Sequence, residues 1–344
     1  MVTHEDQAAQ TERPAVSEAP AVRDNRSSLE PDRHFDTPAA RRRSQSFSAK
    51  LYRILHYPQF WFGLVVLAPT ILYYIAFSFF PILRGLWLSV VDYDFITRAT
   101  SHFVGLDNFY KLSLDPLLWI ATRNTLLLGV MEFCVSLPLS LLIATCLVNL
   151  KRGMQLYQSA IFLPVVVSLV AVSLLFRFLL DPDVGAFNAF LRAMHLPTSR
   201  WLSSPSSALA TLAAIDIWKG LGFGVVLLTA GMLNIPAELY DAARVDGVNE
   251  WQRFRYMTIP LLSHTLLLVV VLGVIGSLQV YTSPTVLTQG GPGTSTFVYN
   301  MLIVQTGFTN FRFGVAAAAA LLQFVVIFVI SVIQLKLLRP KWSY

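Results

Sequence analysis

Residues 238–260 read ELYDAARVDGVNEWQRFRYMTIP, a charged stretch set between two long apolar runs. Pro236 suits a first helical position, where its missing N–H is no loss. Residues 237–246 are good or acceptable helix formers. Gly247 can take the left-handed conformation that ends a helix. Asn249 can cap a second short helix, and Pro260 marks the start of the next apolar run. The stretch therefore predicts a helix, a tight turn and a second helix lying along a membrane face. Ala242 and Ala243 leave one side of the first helix thin, so another protein's backbone could approach it closely. A solvated connecting loop is the plainer alternative.

Around this stretch the chain is apolar. Of its 344 residues 55% are hydrophobic and only 13% charged, against the quarter or so of charged residues in a soluble globule. The apolar residues fall in blocks long enough to cross about 30 Å of hydrocarbon. A polytopic helical membrane protein follows. The net charge of +6 lies mostly in tails and loops beside apolar runs, where lipid topology explains it without nucleic acid. Cys134 and Cys146 share one apolar run, about 18 Å apart if helical, too far for a disulfide.

Residues 1–50 are polar and rich in proline and cannot bury enough surface to offset their ordering entropy. A disordered tail over 1–56 is predicted, followed by one membrane domain over 57–344. Arg41, Arg42, Arg43, Lys50 and Arg53 approach the membrane and can meet anionic lipid. Six spans are expected, near 61–83, 117–148, 157–180, 207–233, 261–286 and 312–335. An even number puts both termini on one side. Lys151, Arg152, the charged stretch and the basic residues Lys336, Arg339 and Lys341 share that side, so the positive-inside bias makes it cytoplasmic.

The charged stretch resembles the cytoplasmic signature loop of ABC importer permeases, E-A-A-x3-G-x9-I-x-L-P. This chain reads Asp241-Ala242-Ala243, three residues, Gly247, nine residues, Met257, Thr258, Ile259 and Pro260. The spacing matches throughout, and the three departures (Asp for Glu, Met for Ile, Ile for Leu) keep charge or apolar character. LAP (67–69), FPILRGLWLS (80–89), FVGLDNFYKL (103–112), Asn124-Thr125, FLP (162–164) and LTQGGPGTSTFVYNMLIVQTGF (287–308) are similar to the carbohydrate-uptake branch of that family.

The resemblance implies an all-α membrane fold with six transmembrane helices and a cytoplasmic helical coupling loop over 234–260. In it Glu238, Asp241, Ala242, Ala243, Gly247, Met257, Ile259 and Pro260 would meet an ATPase. It also implies two cytoplasmic ATPase subunits that bind the ATP, a second permease chain and an extracytoplasmic solute-binding protein. The solute would be a sugar, an oligosaccharide or a sugar or glycerol phosphate. The chain itself shows no G-x4-G-K-[ST] phosphate loop and no His-Glu-x-x-His pattern, so neither an enzyme nor a cofactor is expected.

Ionisable residues at membrane depth are candidates for function. Glu132 falls mid-span. Asp216 and Lys219, spaced i, i+3, can pair on one helix face. They are either structural or line the solute path. Gln279, Tyr281 and Thr282 offer hydrogen bonds, and Tyr281 a stacking face, for a sugar. Gly220 and Gly224, with the alanines of 316–320, read as helix-packing surfaces. The rival reading is a self-sufficient secondary carrier, which would need an ion-coupling site.

Overall fold

The computed structural model describes residues 58–93 and 102–338. The predicted tail over 1–56, its basic cluster, Arg339 and Lys341 lie outside the described residues. Contacts divide the chain into Met1–Ile71 and Leu72–Tyr344. Among the described residues, five helical runs are long and apolar enough to span a membrane: Trp61–Ser89, Pro116–Val148, Ala208–Leu233, Ser263–Leu287 and Phe313–Leu337. A sixth forms if the bent pair Met154–Val166 and Leu169–Leu179 counts as one span.

Helix α1 is Pro58–Tyr74, with Pro69 inside it. From Leu72 on, the chain continues through a π-turn, Ile75–Phe79, into α2, Phe80–Ser89. The π-turn has a local cause. Pro81 has no N–H to continue the ladder, and the Phe80 N–H reaches back to the Ile75 carbonyl. The same device recurs before Pro260, where the Ile259 N–H bonds to the Phe254 carbonyl.

Val91–Asp92 pairs antiparallel with His102–Phe103 as β1 and β2. Helix α3, Asp107–Ser113, follows. Buried Asn108 ties the two together, donating from Nδ2 to the carbonyls of Ser89 (3.0 Å) and Val91 (2.9 Å). Lys111 meets Asp107 at 2.7 Å, and that hydrogen bond raises the Lys111 pKa.

Helix α4 is Pro116–Val148, opened by the Asp115 side chain accepting from the Leu117 N–H at 2.9 Å. Gly153 at φ +78 turns the chain into α5, Met154–Val166. The third span then departs from expectation. It bends by 89° between α5 and α6, Leu169–Leu179. Outside it, Asp181 Oδ1 accepts from the backbone N–H groups of Asp183 and Val184, both at 3.0 Å. These bonds hold the exposed Asp181 carboxyl below its ordinary pKa, Val184 contributing most. A lowered folded pKa means the turn is fully supported above the ordinary carboxylate pKa and loosens as pH falls through the lowered value. Amide exchange at Val184 should show that loss of protection on acidification, and Asp181→Asn should abolish the pH dependence.

Helix α7, Ala186–Ala193, and a 3-10 turn, Trp201–Ser203, lead to α8, Ala208–Leu233. Lipid tails give packed helices no hydrophobic advantage, so close backbone approach matters most. On α8 a Cβ at Gly222 would stand 2.4 Å from the Ile161 carbonyl oxygen, and one at Gly224 would stand 2.8 Å from Ser140 Oγ. Gly220 meets nothing within 4 Å. The expected packing pair of 220 and 224 is thus corrected to 222 and 224, because residue 220 faces open space. On the last helix Ala316, Ala318 and Ala319 are buried, in line with the predicted strip.

Helices α9, Ala237–Val245, α10, Glu250–Arg253, and α11, Ile259–Leu261, form the polar hairpin and its return. The fifth span is interrupted too. Helix α12, Ser263–Leu278, stops at Gln279, and α13, Thr282–Leu287, resumes after Tyr281. Helix α14 is Tyr299–Val304, and α15 is Phe313–Leu337. One apolar core joins Leu128, Val172, Leu212, Leu287 and Val298. A second joins Leu112, Leu118, Leu302 and Val315. A third, of Ala144, Leu228, Met232 and Leu262, sits beside the hairpin's ends.

Candidate functional site

The hairpin is built as its sequence predicts. At its turn the Gly247 N–H bonds to the Arg244 carbonyl (3.2 Å) and the Val248 N–H to the Ala243 carbonyl (3.1 Å). That pair of bonds is the Schellman C-cap. Gly247 sits at φ +72, with nothing within 4 Å of where a Cβ would be. Asn249 then caps α10 reciprocally: its Oδ1 accepts from the Gln252 N–H (2.8 Å), and Gln252 Oε1 accepts from the Asn249 N–H (3.1 Å). Pro236 stands one place before the helix, as its N-cap.

The two arms are fastened together. The Arg253 guanidinium lies 5.6 Å from the centre of the Tyr240 ring and pairs with Glu250. Tyr240 Oη meets Thr258 Oγ1 at 3.3 Å. Arg244 pairs with Asp241 at 3.0 Å, both exposed. The thin side proposed for the first helix is divided: Ala243 is buried within the chain, and Ala242 is exposed. Glu238 and Asp241 are exposed, while Met257, Ile259 and Pro260 are half-buried at the return to the membrane. Val245, Trp251 and Tyr256 present large apolar surface, at 88%, 69% and 75% exposure.

A second feature lies between α4, α8 and α12. There a cavity of about 250 Å³ is lined by Glu132, Asp216, Ser136, Ser140 and Ser277, with Gly220, Gly224, Gly273 and Gly276 keeping it open. Asp216 Oδ2 accepts from Ser283 Oγ at 2.6 Å. Lys219 does not pair with Asp216 as the i, i+3 spacing suggests. Its Nζ donates to the carbonyls of Pro164 and Val165, both at 3.1 Å. The reason is the bend after Val166: the last carbonyls of α5 have lost their helical partners, and a cation is the strongest donor within reach.

The break after α12 is satisfied in the same way. Gln323 Nε2 donates to the Leu278 carbonyl (2.9 Å), and Asn300 Nδ2 to those of Gln279 (2.6 Å) and Val280 (3.4 Å). Gln279 and Tyr281 stand at that break and Thr282 opens α13, all within the apolar run Ser263–Leu287, and none of the three lines the cavity. Ser283, next to Thr282, is what joins this break to Asp216. Sequence reasoning missed Ser283, Asn300 and Gln323. Intramembrane amides and hydroxyls near a Gly-rich or Pro-rich segment were the available signal.

The 288–297 loop is pinned to α4 by the two residues singled out in sequence. Asn124 Nδ2 donates to the carbonyls of Thr294 (2.8 Å) and Phe297 (3.0 Å), and Thr125 Oγ1 accepts from the Tyr299 N–H (2.8 Å). Asn124→Ala leaves two carbonyls without their donor, a loss of about 1–3 kcal/mol if they stay dry. Lower thermal stability and faster protease cleavage within 288–297 are the expected results. Unchanged cleavage would show the loop to be held elsewhere.

Residues 121–344 match the family described as binding-protein-dependent transport system inner membrane component. The chain is 29% identical over 272 residues to the probable ABC transporter permease protein YurN of Bacillus subtilis, covering 78% of this chain and 93% of that one. It is 32% identical over 279 residues to the lactose transport system permease protein LacF of Rhizobium radiobacter, covering 79% and 91%. In fold it is similar to a chain of a bacterial alginate ABC transporter crystallised in complex with alginate pentasaccharide-bound periplasmic protein. The TM-score is 0.72 at 24% identity, over 83% of this chain and 96% of that one. The chain belongs to the family of binding-protein-dependent inner-membrane ABC transport permeases.

Proposed function

We propose that the chain is the membrane-spanning permease subunit of an ATP-driven importer of a saccharide. The observation that carries this is the capped polar hairpin of residues 237–258, joined on both sides to apolar helices and presenting Ala242, Glu238 and Asp241 outward. Its turn is closed by the bonds to the Ala243 and Arg244 carbonyls and by the Asn249–Gln252 cap, and in this reading it offers a docking face. Two cytoplasmic ATPase subunits, a second permease chain and an extracytoplasmic solute-binding protein complete the assembly in this reading. Both termini and the hairpin are cytoplasmic, residues 1–56 are a separate tail, and 57–344 form the membrane domain. A lactose permease among the relatives, and the alginate importer of like fold, favour a saccharide as solute.

ATP binding would close the ATPase pair and shift the hairpin, biasing a bistable arrangement of the spans. The interrupted third and fifth spans supply the flexing points. The break after α12 follows directly on the cavity's Ser277, and we assign the cavity of Glu132 and Asp216 to the solute path; Lys219, from the bend of the third span, and the residues Gln279–Thr282 support that path. The test is co-purification of the tagged full chain in mild detergent. An ATPase and a second six-span protein should accompany it. A chain that comes away alone from intact membranes, with uptake driven by an ion gradient, would overturn the reading in favour of a secondary carrier.

A further inference from the structure

We infer that the cavity between α4, α8 and α12 accepts neutral or amino sugars and rejects anionic ones, so that the imported solute is neither a sugar phosphate nor a uronate. This rests on reading that cavity as the solute path. The two carboxyl groups of Glu132 and Asp216 face it, and the remaining polar side chains on its wall are the serines 136, 140 and 277. Among the described residues, no lysine, arginine or histidine lines it.

The wall offers more acceptors than donors: two carboxyl groups and three serine hydroxyls. A saccharide hydroxyl or ammonium brings the donors that such a wall can use. A phosphate or carboxylate brings acceptors and negative charge toward a wall whose ionisable groups are carboxyls rather than bases, and an ionised carboxyl there repels it in a medium of low dielectric. Sites built for such anions use arginine or lysine. The cation on this helix, Lys219, spends its ammonium on the Pro164 and Val165 carbonyls instead. It is thereby withdrawn from anion binding by the same bend that needs it as a cap.

The charge of the cavity can be read without knowing the solute. In the purified full chain with its accompanying subunits, Cys134 and Cys146 are first replaced by serine, and Ser136→Cys is introduced. Its reaction with a cationic and an anionic methanethiosulfonate is compared with the same ratio at Ser113→Cys, an exposed position. Focusing by a carboxyl-lined cleft should favour the cationic reagent by about tenfold or more over that reference. Glu132→Gln with Asp216→Asn should return the ratio to the reference. The chitosan disaccharide should protect Ser136→Cys from a neutral thiosulfonate, and glucose 6-phosphate should not. A ratio equal to the reference, or protection by the phosphate as good as by the amino sugar, would overturn the inference. These reagents report the cavity whether or not an ATPase is attached, so failure here is distinct from failure of the co-purification.

Discussion

Gly247→Leu is expected to cut solute uptake sharply while ATP hydrolysis continues uncoupled or the ATPase falls away. Residue 247 stands at φ +72, and the space around it is open. A Cβ there meets nothing within 4 Å, so the effect within the chain comes from forcing an L-residue into the left-handed region. That costs about 1–2 kcal/mol, a roughly 5- to 30-fold change in a two-state population. The alternative backbone gives up the bonds to the Ala243 and Arg244 carbonyls and swings α10 away from α9. Asparagine tolerates this conformation, so Gly247→Asn should lose far less. Uptake and ATP hydrolysis measured in the same vesicles check both variants. Coupled uptake at the wild-type rate in Gly247→Leu would remove the turn from the coupling mechanism.

Lys219→Met should be the most damaging single change within the membrane. It strands the Pro164 and Val165 carbonyls, and each buried, unsatisfied group costs about 1–3 kcal/mol. The bend between α5 and α6 then loses its anchor to α8. We expect uptake to fall by more than about tenfold, since 1.4 kcal/mol already corresponds to that factor. Lys336→Met, at an exposed position near the end of α15, should leave uptake close to normal. Initial uptake rates, normalised to the amount of assembled complex, decide the matter; equal losses in the two variants would contradict the capping role.

How far the sequence alone reveals this architecture depends on the range of the forces involved. The hairpin is local. A glycine for the left-handed turn, an asparagine cap with its glutamine three residues on, and a proline at each end lie within 25 residues. Each constrains the backbone beside it, so the reading survives almost unchanged. The spans are legible because hydrocarbon demands long apolar runs. Their interruptions are not. Residues 167–168 carry no strong breaker, Pro284 removes the helical donor to the Val280 carbonyl without showing what replaces it, and the carbonyls freed at the two breaks are capped by Lys219, Asn300 and Gln323, far along the chain. The expected Asp216–Lys219 pair fails for the same reason: helical spacing permits it, but distant carbonyls compete for the ammonium, and Ser283 takes the carboxylate. Ala242 and Ala243 show the finer limit. Composition marks both as small, and only the packing of the hairpin decides which one remains outside.

That last distinction gives the most direct test of the coupling face. A photo-crosslinking amino acid is placed at Ala242 in one full-length chain and at Ala243 in another, and each is irradiated in native membranes. The docking account predicts a strong crosslink from position 242 to an ATP-binding subunit and little or none from 243, which is buried within the chain. A position 242 that yields only lipid adducts or crosslinks within the chain itself would contradict it.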